Sequence, residues 1–250
     1  MSSHAHALAV RLLAARKGSG PAQWRDLVPA DRADAYTVQD AVMAQLGVIG
    51  GWKVGAKGPA VEPTCAPMPA SGLLRSGAAA LIGPPWTLRG IEVELAVRLG
   101  RDLLAAGGVP SAAEIMAAID TVLPAIEVVE TRLADWHGSE PLAALADLQS
   151  HGALVLGEPS ALRPQDIDLR TVQASLAFDG QSVAKTQGAN PAADIWRLLG
   201  WLAHHCAQRG TPLRAGDVIT TGSCTGMLFA PEGAHVQGLL TGLGKVELRF

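Results

Sequence analysis

The 250-residue chain is 48% hydrophobic and 17% charged, with a net charge of −3. That balance belongs to a globular protein able to bury a large core, and it excludes a disordered chain. The weak negative charge gives no reason to expect nucleic acid or an anionic membrane as a partner.

Cys65, Cys206 and Cys224 lie far apart with no C-x-x-C pair, which argues against a disulfide framework and a zinc site and fits a reducing compartment. The start of the chain lacks a signal-peptide pattern and no run of about 18 apolar residues is present, so a cytoplasmic location is expected.

In chain order, Leu8, Leu12 and Ala15 recur at helical spacing until Gly18-Ser19-Gly20-Pro21 breaks the pattern. A second helix is expected from near Asp31, with Ala35, Val38, Val42 and Leu46 on one face and Gly47 as its stop. Residues 1–50 thus form a helical N-terminal segment, and 51–250 are expected to form the main, strand-rich domain. Gly50-Gly51-Trp52-Lys53-Val54-Gly55 reads as a short strand bracketed by glycines. Lys53 is its lone cation; a lysine snorkelling from a strand end is the plainer reading. Four prolines between Ala56 and Gly77 describe a long loop, suited to a lid or a binding loop.

Arg89 to Leu99 is a strand in which Ile91, Val93 and Leu95 share one face and Glu92 and Glu94 the other. Two carboxylates in an otherwise apolar segment repel each other unless a positive group lies between them. A hard divalent cation with oxygen ligands meets that need; a solvated face with two surface glutamates is the alternative. Ser111 to Glu114 is a capping box opening a helix to about Asp120, which Pro124 closes off. Ala125 to Thr131 is a further strand, with Glu127 and Val129 on one face and Ile126, Val128 and Glu130 on the other. Glu127 is the third carboxylate among aliphatic neighbours.

Downstream, Asp147 to Gly152 leads into a short strand from Ala153 to Leu156, and Asp179-Gly180 joins two strands in a hairpin. A helix is expected from about Ala192 to Gln208, with Leu198, Leu199, Leu202 and Cys206 inward and His204 and His205 favouring the helix dipole. Asp217 to Thr221 is a strand running into Gly222-Ser223, whose backbone N–H groups could receive a carboxylate. Cys224 has no His/Asp pattern to support a nucleophile, and no glycine-rich piece matches a dinucleotide fingerprint or a P-loop. Lys245 to Phe250 suits a strand closing a sheet.

Taken together, Gly51-Trp52-Lys53-Val54-Gly55, Ile91-Glu92-Val93-Glu94, Pro124 to Val129, Gly216 to Ser223 and the closing Gly242-Leu243-Gly244 with Val246 to Phe250 resemble the fumarylacetoacetate hydrolase superfamily. The resemblance is strongest to its 2-keto-4-pentenoate hydratase / 4-oxalocrotonate decarboxylase branch. It implies an α+β fold, a mixed β-sheet roll with a small helical N-terminal segment. It implies Mg²⁺, or Mn²⁺, held by Glu92, Glu94 and Glu127, with Lys53 near the substrate as a proton-transfer or electrostatic residue whose pKa burial would lower. Asp147, Ser150, Thr221, Gly222 and Ser223 are then expected to border a small 2-oxo acid. Ala56-Lys57-Gly58 and Leu148-Gln149 depart from the family's usual residues, which points to an altered specificity pocket around an intact metal site.

The activity implied is a metal-dependent hydratase acting on a 2-hydroxydienoate or 2-oxo-alkenoate. The alternatives are a decarboxylase or C–C hydrolase on the same site, or a catalytically silent partner subunit. A homo-oligomer, able to associate with a related pathway enzyme, is expected from the resemblance.

Overall fold

In the computed structural model, residues 2–83 and 85–250 are described. The elements in chain order are helices α1 (Ser3–Arg16) and α2 (Arg32–Leu46), then strands β1 (Ile49–Gly55), β2 (Thr64–Pro69), β3 (Leu73–Arg75) and β4 (Gly90–Leu99). Helix α3 (Ala112–Ala118), strand β5 (Ile119–Val129), helix α4 (Pro141–Ala146) and strand β6 (His151–Leu156) follow. Strands β7 (Gln173–Phe178) and β8 (Gln181–Gln187), helix α5 (Ile195–Gln208), and strands β9 (Val218–Ser223), β10 (Leu228–Phe229), β11 (His235–Leu240) and β12 (Gly244–Arg249) complete the chain.

The strands form two sheets. The larger runs β2-β1-β9-β4-β5-β6-β3, with β10 added to β4, and the smaller runs β12-β11-β7-β8. Pairs β1/β9 and β3/β6 are parallel and the rest antiparallel, so the architecture is the mixed α+β roll expected. The inner face of the large sheet packs on the small one. Ile91, Val93, Leu95 and Val97 of β4 and Ile126 and Val128 of β5 enter a single core with Val236, Leu240, Val246 and Leu248. Gly238 permits that approach: a Cβ there would lie 3.0 Å from Val93 and 3.3 Å from Ile126. The opposite face of the large sheet carries a smaller apolar cluster of Met68, Ala96, Leu123, Ala125, Leu154 and Val218, and it is this face that continues into the glutamates.

Two expectations give way. The proline-rich stretch after Ala56 is a loop only as far as Pro63; it then forms β2 and β3. Pro67 and Pro69 fit because β2 is the edge of the sheet, where a missing donor leaves no ladder bond unmade. Pro124, expected to break the chain, lies inside β5. Its carbonyl faces the β6 side and accepts from Gly157 N just past the end of that strand, so the absent N–H falls where the ladder stops. The Ser111–Glu114 capping box is present as expected, with both reciprocal bonds made.

Candidate active site and metal centre

Strand alternation builds the site. Lys53 of β1, Thr220 and Gly222 of β9, Glu92 and Glu94 of β4, and Glu127 of β5 all project from the same face of the large sheet, into one end of a cavity of about 770 Å³. Glu92 and Glu127 are direct cross-strand partners. Each of the three glutamates can offer an oxygen such that all three lie within 4.8 Å of one another.

The electrostatics are those of a cluster short of positive charge. Burial, reinforced by Glu127, pushes the Glu92 carboxyl up to about 7. Burial pushes Glu94 well above the usual range, with Glu127 and Glu92 adding to it. Glu127 goes the other way, down to about 2: burial opposes ionisation, but Lys53 and His151 outweigh it. The Lys53 ammonium donates to Glu127 and, at 3.1 Å, to the Gln149 carbonyl. Burial pulls the lysine down, yet the three glutamates outweigh it and its pKa is raised, the reverse of the lowering expected from sequence. One ammonium cannot balance three clustered carboxylates, two buried and one half-buried, and a hard cation bound by carboxylate oxygens matches the donor set that is left.

Further side chains hold these groups in place. Glu94 Oε2 accepts from Gly222 N at 3.0 Å. Asn190 donates to the Thr221 and Gly222 carbonyls at 2.9 and 2.8 Å, fixing the turn that presents that N–H. His151 Nδ1 lies 3.4 Å from Glu127 Oε1 and is fully buried; burial holds its pKa below the ordinary imidazole value. It reaches this face through a β-bulge: Val128 pairs with Ala153 but Val129 pairs with His151, leaving Gly152 as the extra residue. Gly152 must be glycine, since a Cβ would meet the Val128 carbonyl at 2.7 Å. Leu148, Gln149 and Ser150 all have positive φ, 51°, 51° and 56°. That costly run turns the Gln149 carbonyl toward Lys53.

Of the residues expected at the site, Lys53, Glu92, Glu94, Glu127, Ser150, Gly222 and Ser223 line the cavity. The Ser150 hydroxyl already receives the Trp136 indole N–H at 3.2 Å. Asp147 and Thr221 do not line it. Asp147 is buried and spent on Arg132, accepting from its Nε at 2.7 Å and its backbone N at 2.9 Å. Thr221 points to the opposite face, its hydroxyl donating to the Leu95 carbonyl at 2.9 Å. Alternation from Gly222 marks Thr220 as the cavity residue instead, a signal the sequence carried. His151, Asn190 and Gln149 had no such signal, because a bulge, a loop and a left-handed turn set their directions. Cys224 is buried and its thiol is pushed up to about 12 by burial and Glu94, which removes it as a nucleophile.

A family model for the C-terminal domain of fumarylacetoacetate hydrolase matches residues 38–250. The chain belongs to the fumarylacetoacetate hydrolase family. It is 33% identical to the 2-keto-4-pentenoate hydratase of Burkholderia vietnamiensis strain G4, across 97% of this chain and 96% of that one. It is also 33% identical to the 2-keto-4-pentenoate hydratase of Paraburkholderia xenovorans LB400, an alignment spanning 64% of this chain and 58%, under two thirds, of that one. Among solved structures, 4-oxalocrotonate decarboxylase from Pseudomonas putida G7, complexed with magnesium and adipate, superposes with a TM-score of 0.84 at 25% identity, covering 98% and 97% of the two chains. Within the family the chain falls in this hydratase/decarboxylase branch. No helix among the described residues is long and apolar enough to cross a membrane.

Proposed function

We propose that the protein is a divalent-metal-dependent hydro-lyase that adds water to a 2-hydroxydienoate or 2-oxo-alkenoate of the 2-keto-4-pentenoate type. The observation that carries this is the three-glutamate cluster with Lys53 at one end of a cavity, in a chain related to hydratases over nearly its whole length. Glu92, Glu94 and Glu127 would hold Mg²⁺, with Mn²⁺ as the alternative. The ion would supply Lewis acidity toward the oxygens of a 2-oxo acid, a contribution of several kcal/mol to a developing negative charge.

The chain's own residues do the rest. The Lys53 ammonium, held between Glu127 and the Gln149 carbonyl, is positioned to hold or deliver a proton at Nζ during tautomerisation of the substrate. His151 and Gly222 N–H keep Glu127 and Glu94 from rotating away, so the acidic groups are set before substrate arrives.

Decarboxylation of a 4-oxalocrotonate-type acid is the second reading, favoured by the structural likeness to the decarboxylase. Purified protein assayed with Mg²⁺ on 2-hydroxypenta-2,4-dienoate and on 4-oxalocrotonate separates the two. Loss of the dienoate absorbance without CO₂ release supports hydration. Turnover of neither acid with any divalent metal would overturn both. The homo-oligomer expected from the resemblance is part of this proposal and is read by sedimentation velocity.

A further inference from the structure

Lys53 has two partners of different kinds. Glu127 takes its ammonium as a carboxylate, and the Gln149 backbone carbonyl takes it as an uncharged acceptor at 3.1 Å. Glu92 and Glu94 stand beside Glu127. An ammonium left with carboxylates only would be drawn in among them.

The carbonyl that prevents this belongs to the middle of three consecutive residues, Leu148, Gln149 and Ser150, with φ of 51°, 51° and 56°. None is glycine, and a side chain in the left-handed region crowds its own backbone, so such a run relaxes unless contacts from outside hold it. Each residue has its own hold. Leu148 is fully buried in the core. Ser150 donates its N–H to the Asp147 carbonyl at 2.9 Å, offers its carbonyl to Glu130 N at 2.8 Å and takes the Trp136 indole N–H on its hydroxyl at 3.2 Å. Gln149 lies half-buried on the cavity wall and is held through its side chain, whose Nε2 donates to Thr64 Oγ1 at 2.6 Å.

Thr64 and Lys53 come from neighbouring strands: β2 pairs with β1, Thr64 opposite Gly55 and Ala66 opposite Lys53. Gln149 therefore spans the pair, its backbone oxygen on the lysine of β1 and its amide on the hydroxyl of β2. A change of φ and ψ that relieved the strain at Gln149 would turn the carbonyl off Lys53, and the amide–hydroxyl bond opposes that change.

We propose that Gln149 and Thr64 are positioning residues for Lys53: their side-chain hydrogen bond clamps the left-handed turn in the conformation that offers the ammonium its neutral acceptor. This rests on the reading of Lys53 as the group that handles a proton in a lyase.

The test pairs structure with kinetics. Crystal structures of Gln149→Ala, Gln149→Gly and Thr64→Val are compared with wild type, and kcat and KM are measured with Mg²⁺ on 2-hydroxypenta-2,4-dienoate. Gln149→Ala and Thr64→Val are expected to lower kcat at least about tenfold with KM within about twofold, since small misplacements at a reacting centre reach that scale. In both, the distance from Lys53 Nζ to the carbonyl of residue 149 should open beyond hydrogen-bonding reach. Thr64→Ser keeps the acceptor and should keep wild-type kcat. Gln149→Gly adopts a left-handed φ without cost, so it should leave the carbonyl in place and retain more kcat than Gln149→Ala, although it removes more side chain. Equal kcat for the alanine and glycine variants, or a Lys53 contact that persists in both Gln149→Ala and Thr64→Val, would overturn the inference and leave the lyase reading intact. A lost contact with unchanged kcat would overturn it too. A wild-type protein that turns over no dienoate would remove the lyase reading, and the crystal structures would then decide the clamp alone.

Discussion

Among the described residues, two groups of buried and half-buried charged side chains stand out, and their difference separates support from chemistry. Around Asp147 and Glu130 every negative charge has its donors. Asp147 receives the Arg132 guanidinium and backbone N–H, and the same arginine caps the His151 and Asp147 carbonyls at 2.9 and 3.0 Å. Glu130 collects the backbone N–H groups of Thr87, Leu88 and Arg89, holding the approach to β4. Around Glu92, Glu94 and Glu127 the opposite holds: three carboxylates share Lys53, His151 and one backbone N–H. Satisfied buried charges organise a fold, whereas a deficit of partners marks the place where a ligand completes the set.

The sharpest way to break that contrast is to neutralise the deficient cluster. Glu94→Gln should lower metal-dependent turnover by at least about 100-fold, each 1.4 kcal/mol being about tenfold. It should also abolish the rise in melting temperature on adding Mg²⁺, while the metal-free protein melts no lower than wild type because a neutral amide replaces a carboxyl that burial and its neighbours already keep from ionising. Metal-dependent turnover that persists in this variant would remove Glu94 from the ligand set.

Neutralising the satisfied cluster should do the reverse. Asp147→Asn strands Arg132 as a buried unpaired charge and should cost about 3–5 kcal/mol in urea unfolding. Glu130→Gln, which keeps shape but weakens charge-assisted bonds to backbone N–H groups, should cost less, about 1.5–3 kcal/mol.

The contrast also has a pH signature in the metal-stripped protein. Glu92 titrates at about 7 in the fold, above its unfolded value of 4.5, so the folded state holds its proton longer. Its stabilising contribution is complete below pH 4.5 and disappears as pH rises through 7; melting temperature should fall over that window, and Mg²⁺ should cancel the fall. A flat profile between pH 5 and 8 would contradict the buried, uncompensated cluster. The smallest effect is expected at Cys224: with its thiol pushed up to about 12, Cys224→Ala should leave turnover unchanged.

Much of this was readable in the residues. Alternation placed Glu92, Glu94 and Glu127 on faces that could meet, and the helical spacing of Leu198, Leu199, Leu202 and Cys206 matched the buried stripe of α5. What escaped reading was set by context beyond the local pattern. Pro67 and Pro69 looked like breakers because nothing in the sequence says that β2 is an edge. Thr221 was expected at the cavity from the resemblance, and a register shift between the pairs Glu94–Ser223 and Ala96–Thr220 puts Thr220 on that face instead. Asp147 looked like a ligand residue because its partner, Arg132, comes fifteen positions earlier in the chain and meets it only in the fold.

The extra residue at Gly152 has a consequence for how such a chain can vary. Before it and after it, β6 obeys two different countings, so the imidazole of His151 and the apolar Ala153 and Val155 sit on sides that simple alternation would not assign them. Without that glycine the imidazole would directly precede Ala153 and alternation alone would keep it on the glutamate side, whereas any side chain in the glycine's place would bring a Cβ to 2.7 Å from the Val128 carbonyl. Identity at this point is therefore guarded more tightly than length, and a relative one residue shorter there can still present its imidazole to the glutamates, while one with a side chain in place of the glycine must move its backbone.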